Sequence, residues 1–171
     1  MKKVLIIPVA ALALAACSAS WIQTTEQYIS ILVPAIEDVI GVLQLAGVKG
    51  ASTTAMDTVS HYAQQATTDL KNINTLLSQY NAANAATTVQ RIGAAANDAR
   101  QNLILILPEL HITDPNTVSK VTAAVNLSVN TISQMEALLP AAPSTTPTLA
   151  QAEKLPSPDQ LQQQFNRIFA R

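Results

Sequence analysis

Few side chains in this chain have a type and spacing that could do chemistry. Asp57 and His61 stand four residues apart, so on a helix they share a face and could offer two ligands to one metal ion. Both fall opposite the apolar seam of their helix, which makes them a solvated pair on an outer surface. Glu109, His111 and Asp114 gather around one loop and could hold a cation. Asp114, however, directly precedes Pro115, the arrangement of a helix cap with proline at the first helical position. A carboxylate-bridged metal site in a helical bundle needs Glu-x-x-His pairs on two helices, and neither histidine has a Glu three residues before it. Nucleophilic catalysis needs a Ser or Cys with a base and an orienting group, usually on a strained turn; no Gly-x-Ser-x-Gly occurs. The glycines at 41, 47, 50 and 93 are too scattered for a phosphate-cradling loop. Thr25 and Ser128 lie on apolar seams, where a hydroxyl bonds the carbonyl of the preceding turn. The pattern predicts no catalytic residue, no metal and no cofactor, and a protein that is not an enzyme. One reactive group is left, the thiol of Cys17.

Those residues must be positioned by a fold with little charge to spread over its surface. Charged residues are 12% of the chain and aromatics 4%, against a usual charged share of about 25%. Gln, Asn, Thr and Ser must therefore cover the surface. A net charge of −1 gives no electrostatic reason to expect nucleic acid as a partner. With one Cys there is no intrachain disulfide, and packing alone must hold the domain.

Apolar residues recur in steps of three and four, the seam of an amphipathic helix. From Trp21 to Ala46 the seam is Ile22, Thr25, Ile29, Leu32, Ile36, Val39, Leu43 and Ala46. Pro34 falls on the outer face, where it kinks the helix without ending it. Gly47-Val48-Lys49-Gly50 is a stop and a turn, and Ser52, Thr53 or Thr54 can cap the next helix. A second seam runs through Met56, Val59, Ala63, Ala66, Leu70, Ile73, Leu77 and Tyr80. Asn81-Ala82-Ala83-Asn84 is a weak breaker, leaving open a helix that continues through it. The third seam is Val89, Ile92, Ala96, Ala99, Leu103 and Ile106, ending near Pro108. Leu103 to Leu107 is apolar all round, so burial on several sides is expected there. Asp114-Pro115 starts the fourth, through Val118, Val121, Val125, Ser128, Ile132, Met135 and Leu139 to Pro140. Its Val and Thr content would suit a strand, but the three-four spacing decides for helix.

Four such helices with short connections predict an all-α, up-down-up-down antiparallel four-helix bundle over residues 21–139. Its seams hold aliphatic residues, Ala and one Tyr, without Phe or Trp. Residues 140–156, with Pro140, Pro143, Pro147 and Pro156 among Ser, Thr and Ala, read as an extended linker. Over 157–171, Ser157-Pro158-Asp159-Gln160 offers a cap, a first-position Pro and a Gln three residues on. Leu161, Phe165, Ile168 and Phe169 follow on one face, making a short amphipathic helix that needs a surface to settle on. That surface is a groove of its own bundle, a partner or the membrane interface.

Ahead of the first helix, Met1-Lys2-Lys3 precedes an apolar run from Val4 to Ala16. It is too short to span a bilayer and ends in small residues before Cys17, the organisation of a signal peptide. Leu14-Ala15-Ala16-Cys17 resembles the lipobox of bacterial lipoproteins, Leu-(Ala/Ser)-(Gly/Ala)-Cys, position for position. The resemblance covers only the first 17 residues. It implies diacylglycerol on the Cys17 sulfur, cleavage of residues 1–16, and acylation of the new amino terminus by a chain such as palmitate. The competing reading is an ordinary secretory signal cleaved near Ala16, which leaves an exported protein with one unpaired thiol. Two or more acyl chains make a stable anchor. In that family an Asp after the Cys favours retention at the inner membrane, so Ser18 implies the outer membrane, with residues 17–20 as a short tether.

The function expected is that of a membrane-anchored envelope lipoprotein. Its bundle would be a non-catalytic binding or scaffolding module, with the membrane and another envelope protein as partners. A carrier or sensor for a small apolar ligand in the bundle core is the rival, against which the low aromatic content and Ala-rich seams speak. An enzyme is the third class, and it lacks motifs.

Overall fold

The computed structural model describes residues 10–47, 53–110, 114–140 and 156–170, with side chains over 20–45 in the first segment, which leaves out that of Ala46, and from residue 54 in the second. Among the described residues every regular element is helical. α1 is Ala10–Gly47, α2 Thr53–Ser78, α3 Ala85–Ile106, α4 Pro115–Leu138 and α5 Pro158–Phe169, with a 3-10 turn at Leu107–Glu109 after α3. Residues 1–9 of the signal-like run, the connection 48–52 and nearly all of the linker expected over 140–156 lie outside the described residues.

α1 starts earlier than the seam suggests. Its backbone is already helical from Ala10, so the tether expected over 17–20 is part of the helix. Ala and Leu dominate residues 10–16, with no Gly or Pro to interrupt them, and these are strong helix formers. Pro34 sits inside α1 and is exposed. It cannot donate to the carbonyl of Ser30, but both residues are exposed, so losing that one bond leaves no buried group unpaired and the helix continues. By length and composition Ser20–Leu45 could cross a membrane. Its apolar stripe instead packs within the fold, with Leu32 wholly buried and α2, α4 and α5 all in contact with α1.

Local chemistry sets the other boundaries. Between α2 and α3 the two asparagines end one helix and start the next. Asn81 Oδ1 accepts from the backbone N–H groups of Ala83 and Asn84, at 3.0 and 3.2 Å. Asn84 Oδ1 accepts from the Asn81 N–H, at 2.9 Å, and both side-chain amides donate to the Gln79 carbonyl. These bonds give the backbone an alternative to the helix ladder, so two helices form where one continuous helix was conceivable. Asp114 caps α4, accepting from the Thr117 N–H at 3.0 Å and from the Thr117 hydroxyl. Ser157 and Gln160 form a reciprocal capping box at the start of α5, with bonds of 3.3 and 2.9 Å.

Contacts run in a ring, α1 to α2, α2 to α3, α3 to α4 and α4 back to α1, with α5 laid against α1 and α4. Most described seam positions form the buried core; Ile22, Met56, Tyr80, Val89 and Leu139 pack half-buried at its edge, and Val118 in the first turn of α4 is half-buried. Because each helix touches two ring neighbours, the buried stripe is wider than the seam. Tyr28, Ala35, Thr67, Leu76, Thr88, Ala95, Ala124 and Thr131 are buried beside it.

One expectation about this core is corrected, and the core holds large aromatics that lie off the seams. Trp21 and Tyr28 of α1 and Phe165 of α5 are buried, and Trp21 meets the ring of Tyr80 edge-on, with centroids 5.4 Å apart. The end of α3 is not buried on several sides, since Ile104 and Leu105 are 42% and 43% exposed. The 3-10 turn that follows covers α3 and α2 but leaves that outer strip open.

Candidate functional site

Asp57 and His61 are both exposed on α2, the solvated face that their spacing implies. At the loop before α4, Asp114 caps the helix as described, Glu109 lies in the 3-10 turn, and His111 falls outside the described residues. Among the described residues no group of three His, Cys, Asp or Glu side chains is placed to hold a metal ion. The buried hydroxyls on the seams have local partners. Thr25 donates to the Trp21 carbonyl at 2.8 Å and Ser128 to the Ala124 carbonyl at 2.9 Å.

Cys17 lies on the helical backbone of α1, and its side chain is outside the described residues. Four residues later Trp21 is the first of the described core. At 1.5 Å per residue that is about 6 Å along the helix.

The C-terminal docking face is occupied by the chain's own bundle. Leu161 and Phe165 are 0% and 2% exposed, so of the surfaces open to this amphipathic helix, α5 is seated on a groove of its own bundle, and neither residue is open to an external partner there. Ile168 and Phe169 pack half-buried at the edge of the core. Phe169 stacks on Phe165 with centroids 6.5 Å apart and planes 8° from parallel. The Tyr28 hydroxyl donates to the Pro156 carbonyl at 2.6 Å, joining α1 to the residue before the α5 cap. Burial raises the Tyr28 pKa, which keeps the proton on that donor. The groove exists because α1 and α4 are ring neighbours, and the 3.6-residue period of α5 supplies a stripe to fill it.

A polar groove between α2 and α3 was not singled out by any motif. It is an open depression of about 510 Å³ lined by Gln65, Thr68, Asp69, Asp98, Gln101 and Asn102. Asn102 donates from Nδ2 to Asp69 Oδ2 at 3.1 Å. Partial burial raises the Asp69 pKa; the Asn102 hydrogen bond opposes this and the nearby charge of Asp98 reinforces it. These residues flank the seam positions Leu70, Ala99 and Leu103, so only the pairing of α2 with α3 brings them together. The groove is a strip of hydrogen-bonding amides, a hydroxyl and two carboxylates, without a nucleophile and base in contact. No family model, curated protein or solved structure matches the chain, and the functional reading rests on geometry and the motif at Cys17.

Proposed function

We propose that this chain is a lipid-anchored envelope protein. Cys17 carries the lipid, and residues 21–139 form an up-down-up-down antiparallel four-helix bundle that binds or scaffolds another envelope component without catalysis. Its place is the periplasmic face of the outer membrane. The observation that carries the reading is the position of Cys17. It closes the Leu14-Ala15-Ala16-Cys17 motif one helical turn before the described core begins at Trp21, so cleavage ahead of Cys17 removes none of that core. Support for the antiparallel order comes from contacts whose numbers run in opposite directions. Trp21 meets Tyr80, whereas Glu37, further along α1, pairs with Lys71, further back along α2, at 3.6 Å.

The test is the mass of the mature amino terminus together with membrane fractionation of wild type and Cys17→Ala. Lipid on Cys17, lost along with maturation in the variant, is the expected result. If Cys17→Ala protein still matures at the same residue and fractionates with membranes unchanged, the reading is wrong. Crosslinking in intact envelopes then identifies the bound component.

A further inference from the structure

The contact of Trp21 with Tyr80 joins two segments that carry no charge. The edge-on contact of Trp21 with Tyr80 brings the last turn of α2 and the turn 81–84 beside the entry of α1 into the core. The last turn of α4 packs against the first half of α3, where Leu139 Cδ1 lies 3.7 Å from the position a side chain on Gly93 would take. In the sequence, residues 17–25 and 72–90, the two segments that the ring contact joins, contain no Asp, Glu, Lys, Arg or His, and charge resumes at Glu26, Lys71 and Arg91. The turn 81–84 presents Asn81, Ala82 and Ala83 to solvent, two small apolar groups and an amide.

A charge brought against a bilayer loses hydration, and a carboxylate is also repelled by anionic headgroups. Uncharged amides and alanines meet neither obstacle, and a half-buried ring such as that of Tyr80 favours the membrane interface. If Cys17 is lipidated, this end stands one helical turn from the anchor, about 6 Å. We propose that the uncharged turn 81–84, backed by half-buried Tyr80 and buried Trp21, is the lipid-contacting surface that seats the bundle upright on the headgroups of the membrane holding Cys17. This orientation rests on the lipoprotein reading and adds to it which face of the bundle meets the bilayer.

The experiment uses the lipidated mature chain in phosphatidylethanolamine and phosphatidylglycerol vesicles containing a headgroup spin-labelled lipid. With Cys17 converted to a thioether, the thiol of Ala83→Cys or of Asn116→Cys takes a fluorophore uniquely. Asn116 is exposed in the first turn of α4, at the opposite end of that helix from Leu139. Several-fold stronger quenching at position 83 than at 116 is expected, with quenching of Trp21, the single tryptophan, as a label-free check. Chains that carry lipid and float with the vesicles yet quench equally at both positions overturn the orientation while leaving the anchor intact. A mature chain without lipid overturns the anchor reading, and the orientation falls with it.

Discussion

Phe165→Ala tests how α5 is attached. In a rigid core, Phe→Ala typically costs about 3 to 5 kcal/mol, the lost transfer energy plus the cavity left behind. α5 has a small share in the core, since it fully buries only Leu161 and Phe165. Two such side chains supply roughly 3 to 6 kcal/mol of transfer free energy as an upper bound, before the entropy of ordering the helix is set against it. Once that entropy is subtracted, the net docking energy falls below the cost of a rigid Phe165 cavity. Removing the ring should release α5 in place of opening a cavity, and the loss should stop at the docking energy, about 1 to 3 kcal/mol. The assay is urea denaturation of residues 18–171, comparing Phe165→Ala, Leu161→Ala, the double variant and a chain ending at residue 156. All four should lose similar stability, and amide exchange in α5 should become fast in each. Additive losses from the two single variants, together exceeding about 5 kcal/mol, would show α5 to be part of the cooperative core and refute this reasoning.

Leu70 is wholly buried, so Leu70→Ala should cost about 2 to 5 kcal/mol, whereas Asp57→Ala and His61→Ala, on the exposed face, should each stay within about 0.5 kcal/mol; thermal melts separate them, and equal sensitivity at His61 and Leu70 would overturn the helical register. At Asp69 the pKa is raised, chiefly by partial burial, so the folded state holds that proton more tightly than the unfolded chain. Its ionised form is therefore unfavourable above the folded pKa, and the penalty disappears as pH falls through that pKa to the ordinary carboxylate value. Asp69→Asn should be slightly more stable than wild type at neutral pH and lose that advantage in acid; a constant difference in urea midpoint across this range would contradict it.

Much of this fold is a local property and was legible in the residue order. The three-four spacing set the face of each helix, because a helix brings every third and fourth residue onto one line whatever surrounds it. Asp114-Pro115 and Ser157-Pro158 marked helix starts because a cap is satisfied within its own first turn. Asn81 and Asn84 were ambiguous in sequence, since their effect depends on several side-chain bonds forming together. The motif at Cys17 was likewise readable without a fold, being a matter of neighbouring residues alone.

Other features depend on which surfaces meet, and these only the tertiary structure decided. The burial of Trp21, Tyr28, Thr67 and Thr131 follows from each helix facing two neighbours, which no single seam encodes. The exposure of Ile104 and Leu105 has the converse cause: an apolar residue is buried only if an element covers it, and none of the described elements covers that strip of α3. Leu161 and Phe165 announced an amphipathic helix, but its seat between α1 and α4 required those helices to be adjacent. Asp69, Asp98 and Asn102 became a groove for the same reason, because polar residues beside two seams meet only once the seams have packed.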